Sequence, residues 1–499
     1  MKEMQAIVVV AVTVVGLFLF KCSNASRKAG HKLPGPRGWP IVGNILGAQR
    51  LWVQLAQMSK TYGPLYSLRI LNRPLAVINT TEVARELLEV RSTNYWSRHV
   101  PKMIELSGME RGIVFQPDAN RLRSGRNLIH SSINPQSIPH IRLFLDEHVT
   151  KLLVDIVRDP KNHPEHVHNA VTSVMLQISH GYEVKDAASD PFLRMANELT
   201  RNFAQATNVA NFLVEWVPFL SYLPEWLPGM EFKRTSKAWR RQYDLLATTG
   251  MNMVKDSMEK GVARPSLISD VLQKEGILSP EAESMLMFSA TEVFSGGADT
   301  TISSIKSFIL AMVLHPDVQK TAQLEIDKLT GGTRFPTIQD RSDLPYIDCI
   351  MRETLRCFSP IPLVWRKPTT HDIYNGCEIT PETMVFVNFW AMLNDPDVYP
   401  DPQSFRPGRW INFEPRTDPL KVAFGFGRRL CPGRHLAEDL LFLAFSSLLA
   451  AFDIQAPVDK EGKPVFPPGQ YTDGGIIGPV PFDCCFKPRS DVLIKSLFE

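Results

Sequence analysis

The chain has no CxxC pair, and its seven cysteines are an odd number among 499 residues. A fully paired disulfide framework and the usual paired-cysteine zinc sites are therefore excluded. Cys484 and Cys485 are adjacent, too close for ordinary disulfide geometry. This usage suits a reducing compartment, with most thiols serving as small buried apolar groups. An excess of one charge is lacking too. Lys and Arg number 55 against 52 Asp and Glu, and the net +3 does not argue for a nucleic-acid partner. Past residue 45 there is no Ser/Gly-rich linker, low-complexity tract or internal repeat. With 44% hydrophobic and 21% charged residues, the composition fits one large globular domain over 45–499. Nucleotide loops are missing as well. Gly425-Phe426-Gly427 has no third glycine at GxGxxG spacing, and no Walker lysine follows.

One long apolar run is present. Met4 to Phe20 is apolar apart from Gln5 and Thr13, and its 17 residues are at the short end for a spanning helix. Lys21, Arg27, Lys28, Lys32 and Arg37 follow it, whereas Lys2 alone precedes it and is offset by Glu3. The positive-inside bias then leaves 1–3 as a short lumenal tail, 4–20 as an anchor and the bulk of the chain in the cytosol. The competing reading is a cleaved signal peptide, since Ser23-Asn24-Ala25 has the small-x-small form. The run exceeds a usual signal core, so the anchor is preferred, and the sequons at Asn24 and Asn79 go unused. Residues 21–44 form a basic, proline-rich linker ending in "LPGPRGWPIVGN", whose prolines deny it helix and stiffen it as a spacer.

Beyond the linker the pattern is mainly α with small β-sheets. Arg50–Thr61 is amphipathic, and Leu65–Ile70 with Arg73–Thr80 reads as a hairpin. Helical periodicity dominates from about 120 to 360, including one long helix over Glu281–Leu314 closed by His315-Pro316. Proline-rich chain with short strands fills 360–430, and a final helix spans about His435 to Phe452.

Chemistry concentrates in "FGFGRRLCPGRHLAE", Phe424 to Glu438. A structural thiol would not need these surroundings. Gly425, Gly427 and Gly433 keep the backbone slim enough for close approach of something bulky. Arg428, Arg429, Arg434 and the N-terminus of the following helix all favour a thiolate at Cys431. As a nucleophile it would have only His435 in the loop as base, and no second cysteine supports zinc. A single axial thiolate to a haem iron fits.

Phe424-x-x-Gly427-x-Arg429-x-Cys431-x-Gly433 resembles the haem-binding signature of the cytochrome P-450 superfamily. Three further stretches follow the same family pattern: "SGGADTT" (Ser295–Thr301), "ETLR" (Glu353–Arg356) and "FRPGRW" (Phe405–Trp410). With the anchor and proline hinge, the resemblance covers essentially the whole chain and points to microsomal, fungal members that tailor secondary metabolites. It implies heme b (iron protoporphyrin IX) ligated by Cys431 as the metal ligand, with Phe424 and Arg429 in the same cofactor-binding loop. It implies that Thr300 and Asp299 act in oxygen activation and proton relay, and that Glu353, Arg356 and Arg409 form a buried network. It further implies propionate contacts from Arg366 and Arg126. The family's usual Trp is replaced by Leu122, so Arg121, Arg123 or His130 are candidates to compensate.

Each motif also has a plain reading. Gly296-Gly297 could serve close helix packing, Thr300 could simply bond back to a carbonyl, and Glu353/Arg356 could be a surface ion pair. By analogy the substrate lies among 96–115, Phe294, Ala298, 361–364 and 472–477, mostly apolar positions suited to a terpenoid, polyketide or indole. The implied activity is insertion of one atom of O2 into a lipophilic small molecule. Electrons would come from NADPH through a separate NADPH-cytochrome P-450 reductase at the endoplasmic reticulum membrane, docking near Lys421, Arg428 and Arg434. Rival readings are an oxygen-independent isomerase or dehydratase of the same fold, and a non-catalytic haem- or sterol-binding membrane protein.

Overall fold

The computed structural model describes residues 31–499 except 41, 48, 72, 135–137, 186, 188, 210, 413–417 and 499. The expected anchor over Met4–Phe20 and the start of the linker lie outside the described residues. Two compact units are distinguished: residues up to 99 with 363–391, and 100–362 with 392–499.

The first unit is built on a four-stranded sheet, ordered β1 (Leu65–Ile70), β2 (Arg73–Ile78), β6 (Met384–Asn388), β3 (Leu363–Arg366). β1 and β2 form the expected antiparallel hairpin, with Leu65 opposite Ile78 and Ile70 opposite Arg73. β2 runs parallel to β6, which pairs antiparallel with β3. β2 stops two residues before the expected Thr80. There the buried Asn79 side chain accepts from Asn388 Nδ2 at 3.0 Å, and Thr80 precedes a short helix. A buried amide in this role leaves no room for a glycan. Helix α1 (Leu51–Tyr62) ends at Gly63, whose φ of 92° only glycine adopts cheaply. A two-stranded ladder, β4 (Asp372–Tyr374) and β5 (Cys377–Ile379), completes the unit.

The second unit is helical: α2 (Ala119–Ser132), α3 (Ile138–Arg158), α4 (His163–His180), α5 (Pro191–Thr207), α6 (Glu231–Glu259), α7 (Leu267–Glu275), α8 (Pro280–Leu314), α9 (Pro316–Thr330), α10 (Pro345–Cys357) and α11 (Arg434–Ala451), with the hairpin β7 (Phe452–Gln455) and β8 (Cys485–Pro488). At the N-terminus of α8 the Ser279 hydroxyl accepts the Ala282 N–H, and Pro280 fills the first turn, where its missing N–H costs nothing. Pro316 closes it, because the residue before a proline is driven out of helix. Among the described residues α8 is the one helix long and apolar enough to cross a membrane, but 72% of its most apolar stretch is buried. It is the core helix of this unit and packs against α2, α4, α6 and α11. α11 is not the last helix: Ser490 caps a further short one, Asp491–Ser496.

The expected Glu-Arg-Arg network is present, with its Glu353–Arg356 pair fully enclosed and Arg409 half-buried at its edge. Glu353 and Arg356 are each 0% exposed. Arg356 donates from Nε and Nη2 to the two Glu353 oxygens, both at 2.9 Å. Arg409 Nε donates at 3.1 Å, Trp410 Nε1 at 2.8 Å and the Arg406 N–H at 2.8 Å to the same carboxylate. The remaining guanidinium donors go to carbonyls, Leu393 and Pro402 for Arg356, Pro400 and Asp401 for Arg409. This is not a surface pair. Glu353→Ala leaves Arg356 buried without its counter-charge, which costs roughly 3–5 kcal/mol. The expected outcome is a clear fall in the thermal or urea midpoint, and an unchanged midpoint would show the network to be dispensable.

Candidate active site around Cys431

The loop before Cys431 is shaped by two glycines in the left-handed region, Gly425 (φ 81°) and Gly427 (φ 58°). Side-chain-bearing residues would be strained at both positions. They allow a short turn over Gly427–Arg429, after which the Cys431 N–H donates back to the Phe424 carbonyl at 2.9 Å. Gly433 differs. Its φ of −92° is ordinary, and a Cβ there would meet nothing within 4 Å. It borders open space. Cys431 is a half-buried thiol outside any disulfide, and His435 is exposed.

Two arginines meet this loop. Arg126 on α2, a helix capped by Asp118, donates to the Leu430 carbonyl at 2.9 Å. Burial pulls its guanidinium below its ordinary value, and the Cys431 sulfur opposes that shift, so the two side chains sense each other electrostatically. Arg121, Arg123 and His130 are exposed on the same helix, and Leu122 is buried. Arg429 is only 6% exposed and donates to the Ile113, Val114 and Gln116 carbonyls at 2.6, 3.2 and 2.9 Å. Arg366 belongs to the other unit, where it is buried on β3 and donates to the Trp365 carbonyl at 3.1 Å.

The middle of α8 separates the two readings of Gly296-Gly297. A Cβ on Gly297 would stand 2.6 Å from the Met175 sulfur, so that glycine permits packing against α4. A Cβ on Gly296 would meet nothing within 4 Å, so that one opens a space. The Thr300 hydroxyl donates to the Gly296 carbonyl at 3.0 Å, the ordinary back-bond of a helical threonine. Burial pushes the Asp299 carboxyl up to about 7, with the Lys306 and Arg201 charges pulling the other way. Two residues received no role in the sequence reading. Trp410 was signalled by its place next to Arg409, and Glu292 is a lone charge on the apolar stretch of α8 before Gly296.

These features fit a haem. Among the described residues no cluster of three His, Cys, Asp or Glu could hold a metal on its own. A single cysteine at a loop that carries Arg429 and is joined by Arg126 suits a group that brings its own ring ligands and would take one thiolate. Open space borders both Gly433 and Gly296.

The comparisons identify the family. The Cytochrome P-450 family model matches residues 33–486, and the chain belongs to that family, heme-containing monooxygenases that take up oxygen from O2. Cytochrome P-450 monooxygenase 105 of Postia placenta is 36% identical over 95% of this chain and 92% of its own length. Tryptamine 4-monooxygenase of Psilocybe cyanescens is 33% identical over 97% of this chain and 99% of its own. A zebrafish cytochrome P-450 solved with progesterone shares the fold, with a TM-score of 0.74 at 23% identity over 88% of this chain and 99% of that one.

Cys431→Ser should abolish the red-shifted carbon monoxide band of the reduced haem, and a mutant that retains the band would overturn the ligand assignment. Asp299 gives a pH prediction. Its folded carboxyl titrates near 7, above the usual unfolded value of about 3.9. The native state therefore holds the extra proton between those values, and stability present below about 4 is lost as pH rises through 7. Asp299→Asn should gain stability relative to wild type from pH 5 to 7.5 in urea titrations. A constant difference would mean that the folded carboxyl is not held neutral.

Proposed function

We propose that this chain is a membrane-anchored haem-thiolate monooxygenase of fungal secondary metabolism, acting on an apolar terpenoid, polyketide or indole. The observation that carries the reading is the Cys431 loop, turned by Gly425 and Gly427 and joined by Arg126. The relatives' names support the metabolic setting, tryptamine 4-monooxygenase in particular. Heme b would be held by Cys431, with Phe424 and Arg429 in the same loop and Arg126 and Arg366 as propionate candidates. When bound, it supplies activation of O2 and transfer of one oxygen atom to substrate.

The chain's own residues position and protonate. Phe294 and Ala298, both buried on α8, supply apolar surface that excludes water and suits a lipophilic substrate. Asp299, with its raised carboxyl, can hold a proton near neutrality and release it. The Thr300 hydroxyl, now donated to Gly296, can rotate to guide protons toward the open space there. Electrons would arrive from NADPH through NADPH-cytochrome P-450 reductase, docking near the exposed Lys421 and Arg428 and the half-buried Arg434. The N-terminal run over Met4–Phe20 would tether the protein to the endoplasmic reticulum membrane, with the catalytic domain in the cytosol.

The test is expression with a reductase and a screen of lipophilic metabolites for a mass gain of one oxygen. An isomerised or dehydrated product without added oxygen would favour the rival chemistry, and no turnover at all a binding protein. Thr300→Ala in the same assay should keep the haem spectrum. Its product formed per NADPH consumed should drop, since proton delivery of this kind is worth roughly 10²–10⁴-fold. An unchanged ratio would leave Thr300 a helix residue only.

A further inference from the structure

We propose that Glu292 is a specificity-determining positioning residue: together with Arg429 it clamps segment 112–116 and so ties one wall of the substrate site to the cysteine loop. This rests on the proposed function in one respect, the placement of Val114 and Phe115 against substrate.

The segment between the turn Met109–Arg111 and α2 has no regular secondary structure, so its backbone groups need partners from elsewhere. Two charged side chains supply them. Glu292, 6% exposed on α8, accepts the Val114 N–H at 2.8 Å. Arg429 donates to the carbonyls of Ile113, Val114 and Gln116. Val114 is thus held at both its N–H and its carbonyl by side chains from two separate elements, and the bond from the Arg429 guanidinium is charge-assisted, the stronger kind.

Gly112 shows that the fit is built around the carboxylate. Its φ of −79° suits any residue, yet an added Cβ would stand 2.1 Å from the Glu292 carboxyl carbon and 2.3 Å from Oε1. The glycine is needed for space, and the space is filled by Glu292. The upstream end is pinned too. Arg111 donates to Asp244 at 2.5 Å and lies 4.2 Å over the Phe288 ring, one turn of α8 before Glu292. Fixing Val114 also fixes its neighbour. The Phe115 ring is buried and lies 6.0 Å from Phe203 on α5. Glu292 would touch neither haem nor reacting atoms. It would act through the position of Val114 and Phe115.

The test is amide hydrogen exchange over 112–118 in the haem-loaded wild type, Glu292→Ala, Glu292→Gln and Gly112→Ala, with imidazole and 4-phenylimidazole as spectroscopic probes of the haem face. Glu292→Ala should raise exchange across the segment by about tenfold, the effect of leaving the buried Val114 N–H without its acceptor. Glu292→Gln keeps an acceptor oxygen and should fall between. Gly112→Ala, which displaces the carboxylate, should reproduce the alanine variant and carries the test if Glu292→Ala does not fold. Imidazole affinity should stay constant while that of the bulkier 4-phenylimidazole shifts severalfold. Unchanged exchange in the variants would overturn the clamp. Raised exchange with unchanged 4-phenylimidazole affinity would overturn the role in specificity. A chain that binds no haem yet shows the exchange difference would sink the functional reading and leave the clamp standing.

Discussion

The carboxylate of Glu353 is the constraint on which the proximal half of the helical unit depends. It is wholly enclosed and accepts five donations, two from Arg356, one from Arg409, one from the Trp410 indole and one from the Arg406 backbone. A charge removed from water is tolerable only when donors replace its hydration, and here each oxygen has them. The consequence is geometric. The chain from Leu393 to Trp410 has little regular structure, and the two arginines convert its carbonyls at 393, 400, 401, 402 and 404 into fixed points on α10. That irregular chain precedes the Cys431 loop in the sequence.

α8 solves a different problem, being a core element that also borders open space at Gly296. A uniformly apolar helix would fill its surroundings completely. Adjacent glycines divide the two tasks, Gly297 admitting the Met175 sulfur and Gly296 leaving space next to Asp299 and Thr300. The cost of about 1 kcal/mol per glycine in a helix interior is offset by burial along most of its length.

Much of this was legible in the sequence because it rests on local chemistry. The hairpin follows from alternation, and its register is visible in Leu65 opposite Ile78. The bounds of α8 follow from Ser279, Pro280 and Pro316. The Cys431 loop was legible from its glycines, read as room for close approach; Gly433 does border open space, while Gly425 and Gly427 serve left-handed turns that the reading did not foresee. The features that stayed hidden depend on partners far along the chain. Nothing local distinguishes Gly296 from Gly297, since Met175 decides it from more than a hundred residues away. Trp410 could be seen as a neighbour of Arg409 but not as a donor to Glu353, and the bonds of Arg429 to residues 113–116 span some three hundred positions. Where strand β2 stops was equally distant in origin, fixed by Asn388.

The arginines explain how a glycine-rich loop can be rigid. Gly425 and Gly427 give the chain its path but no side chains to pack, and backbone bonds such as Cys431 N–H to the Phe424 carbonyl close the turn. A guanidinium carries several donors in a fixed plane, so one side chain can satisfy several carbonyls at once. Arg429 does this for residues 113–116 and Arg126 for Leu430. Lysine, with a single nitrogen on a flexible stem, could not span the same carbonyls. Bonds to neutral carbonyls also leave the positive charge in place, whereas a carboxylate partner would cancel it. Burial lowers the Arg126 guanidinium, and the Cys431 sulfur opposes that shift, so the retained charge lies within electrostatic reach of the thiol. The same side chains that hold the loop therefore make its surroundings favourable to an anionic sulfur, which is the form a metal requires.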